Sequence, residues 1–160
     1  MLQPASPVYL SPHFSLAEFT ASRSAAVRGW PNDPDPNSRL NLGFMALVME
    51  DIRTLLGERP ITVTSGYRTP LLNQLEKGSR NSAHMLGLAC DFIAPRYGTP
   101  LDICRSIATS TLMPRIDQLI FEGTWVHVGL AATGKAPRAQ VLTAKFTPGS
   151  KTVYLPGLPQ

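Results

Sequence analysis

The sequence predicts an α+β fold, with helices packed on one face of a small antiparallel sheet. Apolar residues recur at helical spacing mainly in the first part of the chain, while β-branched residues alternate with polar ones later. A Gly-Thr pair at 123–124 joins two of the later stretches as a tight hairpin. With 160 residues the chain has the size of one domain with a proper core. Residues 1–13 are expected to form a loosely attached, Pro-rich lead, and residues 14–160 a single domain.

The elements follow in order. Ser15-Leu-Ala-Glu18 is a capping box, which starts a short helix over residues 16–22. Residues 30–37, WPNDPDPN, contain three prolines and form a loop. A long helix is expected over 38–56, where Leu40, Phe44, Leu47, Val48, Ile52, Leu55 and Leu56 make one apolar stripe. Gly57 suits its C-cap, and Pro60 blocks continuation. Residues 61–64, Ile-Thr-Val-Thr, read as a strand. Pro70 opens a short helix to about residue 77, followed by a polar loop over 78–82 and a strand over 87–93. Thr99 caps a helix with Pro100 at its first position, running to residue 109. Strands are expected at 118–122, 125–130 and 140–146, with a last one near 152–155.

Composition narrows the function. Hydrophobic residues make up 43% and charged residues 16%, and no apolar run approaches the ~18 residues of a membrane span. The start, MLQPASPVYL, has no basic stretch followed by an apolar block, so no secretory signal is read there. Synthesis in the cytoplasm is the expectation. The net charge of +4 suits anionic surfaces such as cell-wall polymers. Lys and Arg are scattered rather than clustered, which argues against nucleic acid as a partner. Cys90 and Cys104 cannot make a disulfide framework and are expected to be buried free thiols.

The chain has three histidines, His13, His84 and His127. His13 lies in the Pro-rich lead and is not expected to be a ligand. His84 precedes Asp91, an acid embedded in Leu-Ala-Cys-Asp-Phe-Ile where a buried strand is expected. A carboxylate there is costly unless it is paired or metal-bound. No Lys or Arg occurs in residues 81–94, so a cation must come from elsewhere, and Zn²⁺ would serve. In Trp125-Val-His-Val-Gly-Leu130, alternation puts Trp125, His127 and Gly129 on one face and Val126, Val128 and Leu130 in the core. Two His and one Asp make a catalytic type of metal site, with three protein ligands and one open position.

The hairpin supplies a register. Glu122 should face Trp125, Ile120 should face His127, and Gln118 should face Gly129. Glu122 then lies diagonal to His127 on one face, about 7–8 Å away between Cα atoms, within reach of a water at the metal. Arg68 ends a strand just before a Thr-Pro helix start, where a fixed guanidinium can bind a carboxylate or a developing oxyanion. Trp125 is placed either to wall a substrate groove or to pack.

Three segments together resemble the zinc D-alanyl-D-alanine peptidase family, within the superfamily of lysostaphin-type peptidases and the hedgehog signalling domain. Ser65-Gly-Tyr-Arg68-Thr-Pro is similar to its S-G-[YF]-R-[ST]-P segment. Ser82-Ala-His84-Met-Leu-Gly87-Leu-Ala89-Cys-Asp91 is similar to its S-x-H-x-x-G-x-A-x-D signature, and Trp125-Val-His127 to its closing W-x-H. The resemblance spans about residues 14–130. It implies a hedgehog/DD-peptidase-like fold, zinc held by His84, Asp91 and His127, and Arg68 polarising the scissile carbonyl. Ser82 and Gln118 would be secondary substrate contacts. The implied substrate is the stem peptides of bacterial peptidoglycan, and a monomer is expected. A small domain of this type without a signal sequence is similar to phage endolysins and virion-associated wall hydrolases, acting after release or as part of a virion.

One position departs from the family pattern. Many members carry the catalytic acid three residues before the last His, where this chain has Thr124; Glu122 stands five before. Either the hairpin puts Glu122 in the same space, or the base is lost and the chain is an inactive, zinc-stabilised peptidoglycan-binding or structural module.

Overall fold

The computed structural model describes residues 6–160. In chain order the elements are α1 (Leu16–Thr20), α2 (Arg23–Arg28), α3 (Pro36–Leu55), β1 (Thr62–Ser65), α4 (Pro70–Leu75), a 3₁₀ turn (Ala83–Leu86), β2 (Ala89–Ile93), α5 (Pro100–Ala108), a second 3₁₀ turn (Met113–Arg115), β3 (Gln118–Phe121), β4 (Val126–Gly129), β5 (Gln140–Lys145) and β6 (Val153–Pro156). The strands form one sheet in the order β1-β2-β4-β3-β5-β6. Every neighbouring pair is antiparallel except β3 and β5, which run parallel. The exception was not anticipated, because strand alternation carries no information about direction. Here the chain after β4 crosses back before β5 begins, and so re-enters the sheet along β3.

Local chemistry sets most helix ends. Ser15 and Glu18 make the expected capping box. The helix ends at Thr20, and Ser22 caps the unforeseen α2, which buries only Ala25 and therefore shows no apolar stripe. α3 starts earlier than expected, because the Asp35 side chain accepts from the N–H groups of Asn37 and Ser38 with Pro36 in the first turn. Thr99 and Asp102 form a second capping box on α5.

The buried face of α3 differs from expectation. Leu42, Met45, Met49, Ile52 and Leu56 are buried, together with Ala46 and Val48. Leu40, Phe44, Leu47 and Leu55 are 62%, 54%, 52% and 38% exposed. Two apolar sets share this helix at similar spacing, and the methionine-bearing one faces the core. The N-terminal lead is also better anchored than expected. Ser11 Oγ and the His13 N–H both donate to Glu50 Oε1, and Phe14 is buried. Residues 1–5 of that lead lie outside the described residues.

The main core joins α3 and α5 to Cys90, Phe92, Leu119, Val126 and Val128 on one face of the sheet. Cys90 and Cys104 are free and buried there, and burial pushes both thiols up, Cys104 to about 12. The opposite face carries Asp91, His127 and a small apolar cluster of Ile120, Leu142 and Ala144. Among the described residues no helix is long and apolar enough to cross a membrane.

The two stripes of α3 are separable by mutation. Met49→Ala is expected to cost about 2–5 kcal/mol in urea unfolding, and Leu47→Ala less than about 0.5 kcal/mol. Equal losses would put the core face elsewhere.

Candidate metal centre

Four strands place the centre. Ser65 in β1 is the cross-strand partner of Asp91 in β2, Asp91 is the partner of His127 in β4, and His127 the partner of Ile120 in β3. An irregularity in β1 between Val63 and Ser65 lets the chain leave the sheet there. Gly66 follows, in a spot where a Cβ would lie 2.3 Å from the Phe19 carbonyl oxygen, so only glycine fits. The Gly66 carbonyl lies 2.6 Å from His84 Nδ1. A carbonyl oxygen can only accept, so Nδ1 carries a hydrogen and Nε2 is the ring nitrogen available to a partner at the centre. Gly87, at φ +69°, ends the 3₁₀ turn carrying His84; a Cβ there would lie 2.4 Å from the Ser38 carbonyl oxygen.

His84 Nε2 lies 3.3 Å from Asp91 Oδ1, and His127 Nδ1 lies 2.7 Å from the same oxygen. The three ligand atoms are within 4.8 Å of one another. The rings meet edge-on, with centroids 5.2 Å apart. Burial lowers the His84 pKa, against the opposing attraction of Asp91. Burial also pushes the Asp91 carboxyl up, but the attraction of His84 and the hydrogen bonds from both histidines outweigh it and hold the group well below the usual carboxylate range. Because the Gly66 carbonyl takes the Nδ1 hydrogen, His84 Nε2 can meet the Asp91 carboxylate only by carrying a second proton or by sharing a cation with it. A metal ion in that place would displace the proton and bind both atoms. The donor set of two imidazoles and one carboxylate suits zinc.

Arg68 changes one premise of the sequence reading. Its Nη2 donates to Asp91 Oδ2 at 3.0 Å and its Nε to Ser65 Oγ at 3.0 Å. The cation that Asp91 needs is thus supplied in part by an arginine far away in sequence. It covers Oδ2 and leaves Oδ1 to the histidines. The Arg68 backbone N–H donates to the His84 carbonyl, which ties the two segments together.

A cleft of about 1210 Å³ opens over the centre and is lined by Arg68, Ser82, His84, Asp91, Gln118, Glu122, Trp125 and His127, so it gathers every residue singled out as a candidate. The expected hairpin register is present. Ile120 faces His127, Gln118 faces Gly129, and the Glu122 N–H donates to the Trp125 carbonyl. Glu122 is half-buried, while Thr124 is exposed in the turn. Burial, followed by the charge of Asp91, pushes the Glu122 carboxyl up to about 7. Gln118 Nε2 donates to Gln140 Oε1 at 2.9 Å, so one of its donors is already engaged. Trp125 packs on Phe146, with ring centroids 5.9 Å apart, and its buried Nε1 has no acceptor among the described residues. His13 lies elsewhere and pairs with Glu50.

Sequence reasoning missed several residues of the site. Ser65 and Gly66 were read only as parts of a motif. Gln140, Phe146 and Tyr154 reach the cleft through the parallel β3–β5 pairing, for which no local signal existed.

The family described as Peptidase M15 matches residues 12–128, more than half of the chain. No curated protein matches it.

The Glu122 environment has a measurable consequence in metal-stripped protein. Its carboxyl titrates near 7 when folded, against 4.5 ordinarily, so the folded state holds the proton more tightly. Stability should fall as pH rises from 4.5 to 7, by on the order of 2 kcal/mol relative to Glu122→Gln, which cannot ionise. Unfolding curves of the two proteins that stay parallel from pH 4 to 8 would contradict this.

Proposed function

We propose, for a chain that belongs to the Peptidase M15 family, that this cleft hydrolyses peptide bonds in the stem peptides or cross-links of bacterial peptidoglycan. The observation that carries the reading is the meeting of one ligand atom each from His84, Asp91 and His127 within 4.8 Å in an open cleft. These three residues would hold zinc, which when bound supplies Lewis acidity toward a water and toward the scissile carbonyl.

The remaining chemistry belongs to the chain. Glu122 lies on the face of His127, two residue pairs along the hairpin, and its raised pKa suits a group that takes and returns a proton near neutral pH. We assign it removal of the proton from the attacking water and delivery of that proton to the leaving amine. Arg68 holds Asp91 through Oδ2, fixing which oxygen faces the histidines. Its Nη1 makes no hydrogen bond to the described residues and is assigned to the substrate carbonyl oxygen as negative charge develops there. Ser82 and Trp125 line the same cleft, where a peptide would lie against them. The net charge of +4 favours an anionic wall polymer as the target.

Purified protein should lower the turbidity of a peptidoglycan suspension and release new amino termini, and a chelator should abolish both effects. Glu122→Gln should keep one zinc per chain yet lose activity by about 10²–10⁴-fold, whereas His84→Ala should lose the zinc. A fully active Glu122→Gln would remove Glu122 as the base. Wild type with one zinc per chain and no cleavage would make the protein a zinc-stabilised binding module.

A further inference from the structure

The last two strands lie beyond the residues matched by the family, yet they build one side of the cleft. The register explains how. β3 pairs with β5 so that Phe121 lies beside Thr143, which brings Glu122 beside Ala144. Ala144 is in turn the direct partner of Tyr154. On the other side the Glu122 N–H donates to the Trp125 carbonyl. Trp125, Glu122, Ala144 and Tyr154 therefore form one row across four strands, all on the face that carries His127 and Asp91. Glu122 and Tyr154 stand two strand spacings apart, about 10 Å between backbones. The residue between them is Ala144, buried in the small apolar cluster with Ile120 and Leu142.

We propose that Tyr154 is a specificity-determining, substrate-binding residue, whose hydroxyl donates to a carbonyl or carboxylate oxygen of the peptide lying beside Glu122. The assignment rests on the peptidase reading of the cleft. Tyr154 lines the same cleft as Glu122 and His127, is 49% exposed, and its hydroxyl makes no hydrogen bond to the described residues. Burial, then the charges of Glu122 and Asp91, push its phenol up, so at neutral pH it stays a donor and cannot act as a base. Leu142 and Pro156 occupy the next row of the same face and are apolar, and Gln140, one row further, is paired through its Oε1 with Gln118.

The test compares Tyr154→Phe with wild type on soluble stem peptides carrying free or amidated carboxylates. The variant keeps the ring and loses only the hydroxyl. It should bind one zinc per chain, melt as wild type does, keep kcat within about twofold and raise KM about fivefold, the size of one lost hydrogen bond. A KM effect that vanishes on amidated peptides identifies a carboxylate as the acceptor, and one that persists identifies a carbonyl. An unchanged KM on both, or a fall in kcat alone, overturns the proposal. The same pair of proteins in a Glu122→Gln background, titrated with the peptides by calorimetry, separates this inference from the peptidase reading. A fivefold weaker Kd with no cleavage by wild type would sink the enzyme and keep the subsite. An unchanged Kd would sink the subsite whatever the wild type cleaves.

Discussion

An ionised carboxylate inside a sheet must be compensated on every side, and the structure around Asp91 is organised by that requirement. Asp91 is 6% exposed and flanked in its strand by Cys90 and Phe92, both fully buried. Its Oδ2 is covered by Arg68, and its Oδ1 is approached by two imidazoles from different parts of the chain. Replacing the acid by an apolar residue would relieve the electrostatic demand at once. Its retention in so apolar a strand makes sense if Oδ1 is there to hold a cation.

The scaffold follows from where the ligands must stand. β2 and β4 lie side by side in the middle of the sheet, so Asp91 and His127 are direct neighbours on backbones that cannot easily move. His84 is not on a strand. It is steered by the Gly66 carbonyl on one side and by the tight closure at Gly87 on the other. The helical core fills one face of the sheet and holds these strands from behind, which leaves the other face free for a cleft. That division of faces lets one small fold combine a rigid centre with an open approach.

Much of this was legible in the residues, and the failures are instructive. The turn at 123–124 and the alternation on either side of it were enough to place Ile120 opposite His127 and to bring Glu122 to the same face, because hairpin register is a local property. An acid in an oily strand marked Asp91 for the same kind of reason. Long-range pairings left no such trace. Nothing near Arg68 shows that it will reach Asp91, and nothing near Tyr154 shows that β5 will run parallel to β3. On α3, Leu40, Phe44 and Leu47 formed a stripe as regular as the buried one, and only tertiary packing decides between them. Short elements with weak apolar content, such as α2, escaped notice because capping alone defines them.

The claim that everything else depends on is a divalent ion shared by His84, Asp91 and His127. Anomalous diffraction at the zinc edge, from crystals of gently purified protein, tests it directly. The account requires one strong peak lying between His84 Nε2, Asp91 Oδ1 and His127 Nδ1. Absence of any peak there after soaking in zinc, with Asp91 held by Arg68 and a protonated histidine alone, would contradict it.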